Sequence, residues 1–232
     1  MSSTSHGDAI SRLYASRFSE EERRARAKLW QALWDGFFSR YVGANATVLD
    51  LGAGSCELIN CVAAARRVAV DLNPEMPRFA APGVETHVAS LSELTALLAP
   101  ESLDVAFASN VFEHLRSPDA LLDLLFALRV LLRPGGRLVV LQPNVRVVGG
   151  AFWDFVDHTL PLTDKGMVEA LTVAGLRIVE RRARFLPYTT KSRLPRGTWL
   201  VRSYLAFPPA QWLLGKQMLI VAERPHDAAP LA

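Results

Sequence analysis

The run Val48-Leu-Asp-Leu-Gly-Ala-Gly-Ser-Cys56 holds residue types from which a nucleoside site can be built. Thr47 to Asp50 reads as a buried strand, Gly52 and Gly54 as a tight turn, and Glu57 to Ala65 as a helix. A strand, a glycine turn and a helix N-terminus let the backbone approach a ligand closely and offer it N–H groups. Twenty-one residues past Asp50, Val68-Ala-Val-Asp71 is a second apolar strand ending in a carboxylate. That spacing suits a first strand that meets a nucleoside and a second that holds its ribose hydroxyls.

The elements around these residues are readable in order. Residues 1–9 read as a disordered tail. Ser19-Glu-Glu-Glu22 has the form of a capping box, and the helix behind it should run to about Tyr41 with Leu29, Leu33, Trp34, Phe37 and Phe38 on its apolar side. Arg23, Arg24, Arg26 and Lys28 on its first turns read as a solvated face. Tyr14 and Arg17 lie just before the helix, where a fold over a ligand and a plain surface role are equally open. After Asp71 come an irregular proline-containing segment, a short strand from Val84 to Ala89 and a brief helix from Leu91 to Leu98. Leu103 to Ser109 is a fourth buried strand, Pro118 to Leu132 an apolar helix, and Arg133-Pro-Gly-Gly136 a turn into a strand at Arg137 to Leu141. A helix from Asp164 to Ala174 closes at Gly175. Strands follow at Leu176 to Arg184 and Gln217 to Glu223.

Strands alternating with helices predict a doubly wound α/β fold, a mostly parallel seven-stranded sheet with helices on both faces. No ordinary amphipathic helix separates the last two strands, so the last strand should enter antiparallel, at the edge. The organisation expected is a flexible tail over 1–18 and one domain over 19–232. Within that domain the parts are an N-terminal helix at 19–42, a nucleoside-binding core at 45–145, an acceptor-side region with a C-terminal insert at 146–216, and a last strand at 217–224. With 232 residues, half of them hydrophobic, the chain can bury a large core. A formal charge of +3 does not by itself imply nucleic acid, and two cysteines, Cys56 and Cys61, cannot build a disulfide framework or a zinc quartet. They read as small buried hydrophobes. With no apolar run near the ~20 residues of a membrane span and no signal-peptide layout, a cytoplasmic location without a membrane span is expected.

Four segments together resemble the class I S-adenosylmethionine (SAM) dependent methyltransferases of small-molecule type. They are Leu49-Asp-Leu-Gly-Ala-Gly54, Val70-Asp71, Ser109-Asn-Val-Phe-Glu-His-Leu115 and Leu132-Arg-Pro-Gly-Gly-Arg-Leu138. The resemblance spans about residues 45–180. It implies SAM as cofactor, with S-adenosylhomocysteine as product. Asp50 with Gly52, Ala53, Gly54 and Ser55 would cover the methionine end, and Asp71 would accept both ribose hydroxyl protons. Leu72 and Leu91 would wall the adenine and Ser90 would meet its amine, while Asn110 and Val111 would lie beside the methionine. A nicotinamide or flavin site would need a third glycine at the position of Glu57, where a carboxylate repels a pyrophosphate. No metal site is expected.

Transfer to oxygen or carbon gains from a general base, whereas an amine acceptor needs only its lone pair. His114, His158 and Asp157 are the candidate catalytic groups. The chain lacks the Asn/Asp-Pro-Pro-aromatic run of amide and base methyltransferases, having Asn110-Val-Phe112 there. Phe152, Trp153 and Phe155 are too close together to share one helix face, so some of them are candidates to line a pocket. Tyr188 to Lys216 is an unusual insert. From Arg177 to Arg202 the bases are Arg177, Arg181, Arg182, Arg184, Lys191, Arg193, Arg196 and Arg202, against Glu180 alone. It reads either as a solvated edge or as a lid whose Lys191, Arg193 and Arg196 meet an anionic acceptor. The function expected is methylation of a small, partly apolar or anionic biosynthetic intermediate, with no nucleic acid as partner. A nucleic-acid methyltransferase and a non-catalytic SAM-binding or partner-binding domain are the alternatives.

Overall fold

The computed structural model describes residues 19–188 and 198–226. In chain order these form α1 (Glu20–Gly36), β1 (Thr47–Leu51), β2 (Arg66–Asp71), β3 (Val84–Val88) and β4 (Leu103–Ser109), then α2 (Pro118–Leu131), β5 (Leu132–Pro143), α3 (Asp164–Val173) and β6 (Arg177–Arg182). The helices α4 (Thr198–Ala206) and α5 (Pro208–Leu214) precede the final strand β7 (Gln217–Glu223). This is a seven-stranded, mostly parallel α/β fold. No described helix is long and apolar enough to cross a membrane.

The chain divides into two compact units. Of the described residues the first takes 19–91 and 198–206. Its strands run in the order β3-β2-β1, all parallel, with Asp50 opposite Ala69 and Asp71 opposite Val88. Val48, Leu49, Leu51 and Val68 to Val70 are wholly buried, so the two carboxylates emerge at the ends of dry strands. The capping box at Ser19 is present in both directions: Ser19 Oγ accepts from Glu22 N–H, and Glu22 accepts from Ser19 N–H at 2.8 Å. Helix α1 ends at Gly36, and a 3-10 turn at Phe38–Tyr41 completes the expected length. Helix α4 packs on α1, where a side chain at Gly36 would come within 3.0 Å of Leu205. Part of the C-terminal insert therefore belongs to the same unit as the N-terminal helix.

The helix expected over Glu57 to Ala65 is absent. A 3-10 turn at Ile59–Cys61 stands in its place. Only fourteen residues separate β1 from β2, and the first five of them are spent on the turn, where Gly52, Gly54 and Cys56 all have positive φ. What remains cannot hold the several turns a stable crossover helix needs.

Of the described residues the second unit takes 92–188 and 207–226. Its strand order is β4-β5-β7-β6. Strand β7 is antiparallel to both β5 and β6, as expected for its direction. Its position is different: β7 lies between them, every residue of it is buried, and β6 takes the edge instead. An alternating, half-exposed burial pattern makes β6 the better edge strand.

The basic run of β6 is largely neutralised where it is described. Arg177 pairs with Glu223, Arg181 with Asp164, and Arg182 with Glu180 and Gln211. In the first unit Arg202 lies 3.8 Å from Asp35. Lys191, Arg193 and Arg196 lie outside the described residues, as do Tyr14 and Arg17.

Candidate active site

In the first unit the glycine turn is stitched to β2. Gly52 and Ala53 donate their N–H groups to Val70 O at 2.9 and 3.2 Å, and Gly54 N–H donates to Asp71 Oδ2 at 2.8 Å. Asn73 N–H donates to Asp71 Oδ1 at 2.7 Å. Both oxygens of Asp71 are thus aimed by backbone amides. A carboxylate in this place can accept from two hydroxyls.

Asp50 is buried beside it. Burial pushes its carboxyl well above the usual carboxylate range, and the negative charges of Asp71 and Glu57 push the same way, against a backbone N–H from Ile59. Three carboxylates crowd one turn, and Arg26 Nε lies 3.0 Å from Glu57 Oε1. Arg26 is therefore not part of a merely solvated face. The same surroundings push the Cys56 thiol up to about 12 and the Cys61 thiol up to about 11, so both are neutral fillers. A ligand bearing positive charge would relieve this crowding, and one bearing phosphates would aggravate it. SAM carries an ammonium and a sulfonium, and the turn fits that end of it.

Leu72 follows Asp71 and is 47% exposed, an apolar wall at the strand end. Ala89 N–H bonds Asp71 O at 3.0 Å, which brings the half-buried Ser90 and Leu91 to the same end. Asp50, Gly52 to Ser55, Asp71, Leu72, Ser90 and Leu91 all gather at one edge of this unit. Asn110 and Val111 lie in the other unit, at the end of β4. Asn110 there holds φ 52° and donates its N–H to Leu141 O at 2.8 Å.

The second unit holds the titratable cluster. Glu113 and His114 lie on the 3-10 turn Phe112–His114 after β4, and His158 lies on the loop after the 3-10 turn Gly149–Asp154. Thr159 and Leu160 donate their N–H groups to Glu113 O at 2.8 and 3.0 Å, which locks the two loops together. His114 Nδ1 sits 3.0 Å from Asp157 O and 3.3 Å from Asp157 Oδ2. His158 Nδ1 sits 2.9 Å from Phe152 O, with the Tyr188 hydroxyl 3.4 Å from the same nitrogen. A carbonyl oxygen only accepts, so Nδ1 carries the proton in each ring and Nε2 carries the lone pair.

Phe155 stacks on His158 with centroids 4.8 Å apart, and Phe152 is tilted against it at 4.8 Å. Of the three aromatics singled out, Phe152 is buried, Phe155 faces the histidine and Trp153 is exposed. Burial raises the Glu113 carboxyl to about 8, Asp157 adding to the effect against its own backbone hydrogen bond, and its Oε2 is buried without a hydrogen-bond partner. Sequence reasoning passed over Glu113, Asn73 and Tyr188. The first stood in plain view beside His114, but nothing local shows that its side chain is turned inward.

With this geometry in hand, residues 49–140 match the family model described as "Methyltransferase domain". The chain carries a SAM-dependent methyltransferase domain. SAM is its cofactor. Solved structures agree in fold. A SAM-dependent methyltransferase from Archaeoglobus fulgidus is 18% identical with a TM-score of 0.63, covering 85% of this chain and 94% of that one. One from Mesorhizobium loti is 19% identical with a TM-score of 0.60, covering 83% and 98%. A SAM-dependent methyltransferase from Thermotoga maritima, described as a possible histamine N-methyltransferase, is 15% identical with a TM-score of 0.65, covering 93% and 99%. No curated protein sequence matches the chain at a significant level.

Proposed function

We propose that this methyltransferase acts on a small-molecule acceptor, at oxygen or carbon, with nitrogen as the alternative. The cofactor supplies a methyl group already activated by its sulfonium, so the protein's part is largely positioning. Asp71 holds the ribose hydroxyls. Asp50 and the backbone of Gly52 to Ser55 hold the amino-acid end, Leu72 and Leu91 bracket the adenine, and Ser90 meets its amine. Nitrogen is the alternative because an amine acceptor needs only its own lone pair.

The observation that carries the acceptor side is the convergence of His114 and His158 on the buried Glu113. An acceptor hydroxyl would give its proton to His158 Nε2, the ring being held in that tautomer by the Phe152 carbonyl. Asp157 orients His114 through the 3.3 Å contact and acts as a positioning residue. Lys191, Arg193 and Arg196 remain proposed contacts for an anionic part of the acceptor.

The test pairs calorimetry with turnover on a panel of hydroxylated and carboxylated aromatic and aliphatic acceptors. His158→Asn should lower kcat by about 10²- to 10⁴-fold while SAM affinity stays unchanged. An unaltered kcat on a good acceptor would remove His158 from the reaction.

A further inference from the structure

We infer that Glu113, His114 and His158 form a binding site for one divalent transition-metal ion of the zinc class. One ligand atom from each residue lies within 4.8 Å of the other two. Around a tetrahedral zinc, with bonds of about 2.0–2.2 Å, such atoms stand roughly 3.4 Å apart.

Three features make this a built site. Glu113 is 1% exposed, and its Oε2 is an unpartnered buried acceptor. An unpaired polar atom in such a place is costly unless something coordinates it. Both imidazoles donate Nδ1–H to a backbone carbonyl, at 3.0 Å for His114 and 2.9 Å for His158, which turns Nε2 into the ligand nitrogen. Metal-binding histidines are held in this way by their outer partners. The two loops that carry the ligands are joined by Thr159 and Leu160 N–H bonds to Glu113 O, so the donor set does not depend on a mobile segment.

Two imidazoles and one carboxylate suit zinc, iron(II), cobalt or manganese. Magnesium and calcium prefer all-oxygen shells. His114 is 33% exposed at its side chain, so a fourth position open to solvent or to an acceptor oxygen remains. With the ion bound, His158 Nε2 would be a ligand and no longer free to take the acceptor's proton, so the metal and that proton are alternative occupants of one nitrogen, and any part of the ion in turnover rests on the reading above. Its binding does not.

The experiment strips the whole chain with chelator and titrates it with Co²⁺ as probe, following visible absorption, with calorimetry for Zn²⁺. One equivalent should bind, with the intense visible bands of a four-coordinate Co²⁺. Glu113→Gln, His114→Asn and His158→Asn should each weaken binding roughly tenfold or more, with SAM affinity and circular dichroism unchanged. His87→Asn, which removes a histidine paired with Glu85 in the other unit, should leave the stoichiometry at one. Absence of saturable Co²⁺ binding overturns the proposal, as does undiminished binding in His114→Asn, the variant at the more exposed and best-tolerated position. If the parent protein binds no metal while His158→Asn still loses turnover, the metal site is wrong and the acceptor-side base stands. If one Co²⁺ binds and no acceptor is turned over, the reverse holds.

Discussion

The backbone amide of Gly54 donates to Asp71 Oδ2 at 2.8 Å, so the carboxylate that ends the second strand also pins the turn that ends the first. Asp71 therefore has two duties, shaping the turn and presenting acceptors to a ribose. Asp71→Asn should show both. The amide must turn its NH₂ toward one of the two backbone donors, Gly54 or Asn73, and loses the charge that strengthens the hydroxyl bonds. With a hydrogen bond to a charged group worth about 1.5–3 kcal/mol, loss of one should lower SAM affinity by about ten- to two-hundredfold. Calorimetry measures it, and a change under twofold would dismiss the ribose role.

Asp50→Asn should separate stability from binding. The side chain is buried among Asp71 and Glu57, and an amide there removes a carboxyl that burial and those two charges disfavour whenever it ionises. The thermal midpoint of the cofactor-free protein should hold or rise, while SAM binding weakens because a counter-charge for the cofactor's cationic end is gone. A lowered midpoint together with undiminished SAM binding would contradict the assignment.

Glu113 sets a pH dependence whose sign can be worked out. Its unfolded pKa is near 4.3, and its folded value is about 8. Between these values the folded state binds the extra proton, so its contribution to stability falls as pH rises. Asp50 shifts in the same direction. Melting metal-free protein from pH 5 to pH 8 should show a declining midpoint, and Glu113→Gln should flatten the decline. An identical slope in the variant would argue that the carboxyl is ionised throughout.

Asp164 gives the opposite slope. Burial raises its carboxyl, but hydrogen bonds from Arg181 and Asn144 outweigh this and hold it below the usual range. Its stabilisation is complete above the unfolded value near 3.9 and is lost as pH falls through the lower folded one. Asp164→Asn should therefore destabilise the protein at neutral pH and reduce the steepness of acid unfolding below about pH 4. Circular dichroism during acid titration reads this directly.

Much of the cofactor half is legible because it is local. Asp50, the two glycines and Asp71 sit at strand ends that hydrophobic runs mark out, and the parallel pairing of two short strands brings those ends close. The helix after the turn is misread for a similar reason. Leu58, Ile59 and Val62 have helical spacing, but a short connection with Cys56 at φ 60° leaves room for one tight turn only. The acceptor half is less legible. His114 and Asp157 lie 43 residues apart in sequence, and the Thr159–Glu113 bond that aligns them is a long-range backbone contact with no sequence signature. The position of β7 has the same character. Its apolar run specifies a buried strand, but which gap it fills depends on β6 being the more polar of two candidate edges.

The place of β7 has a consequence for how the chain is made. Among the described strands β6 is hydrogen-bonded only to β7, and β7 is the last to leave the ribosome. Until Gln217–Glu223 emerges, β5 lacks its neighbour on that side and β6 has none at all. At ~5–20 residues per second, the interval from Arg182 to Glu223 lasts about two to eight seconds. During it the apolar flank of β5 is an open strand edge. The part of the molecule that carries Glu113 and His158 thus closes last, and nascent chains stalled before Gln217 are the ones most in need of a chaperone.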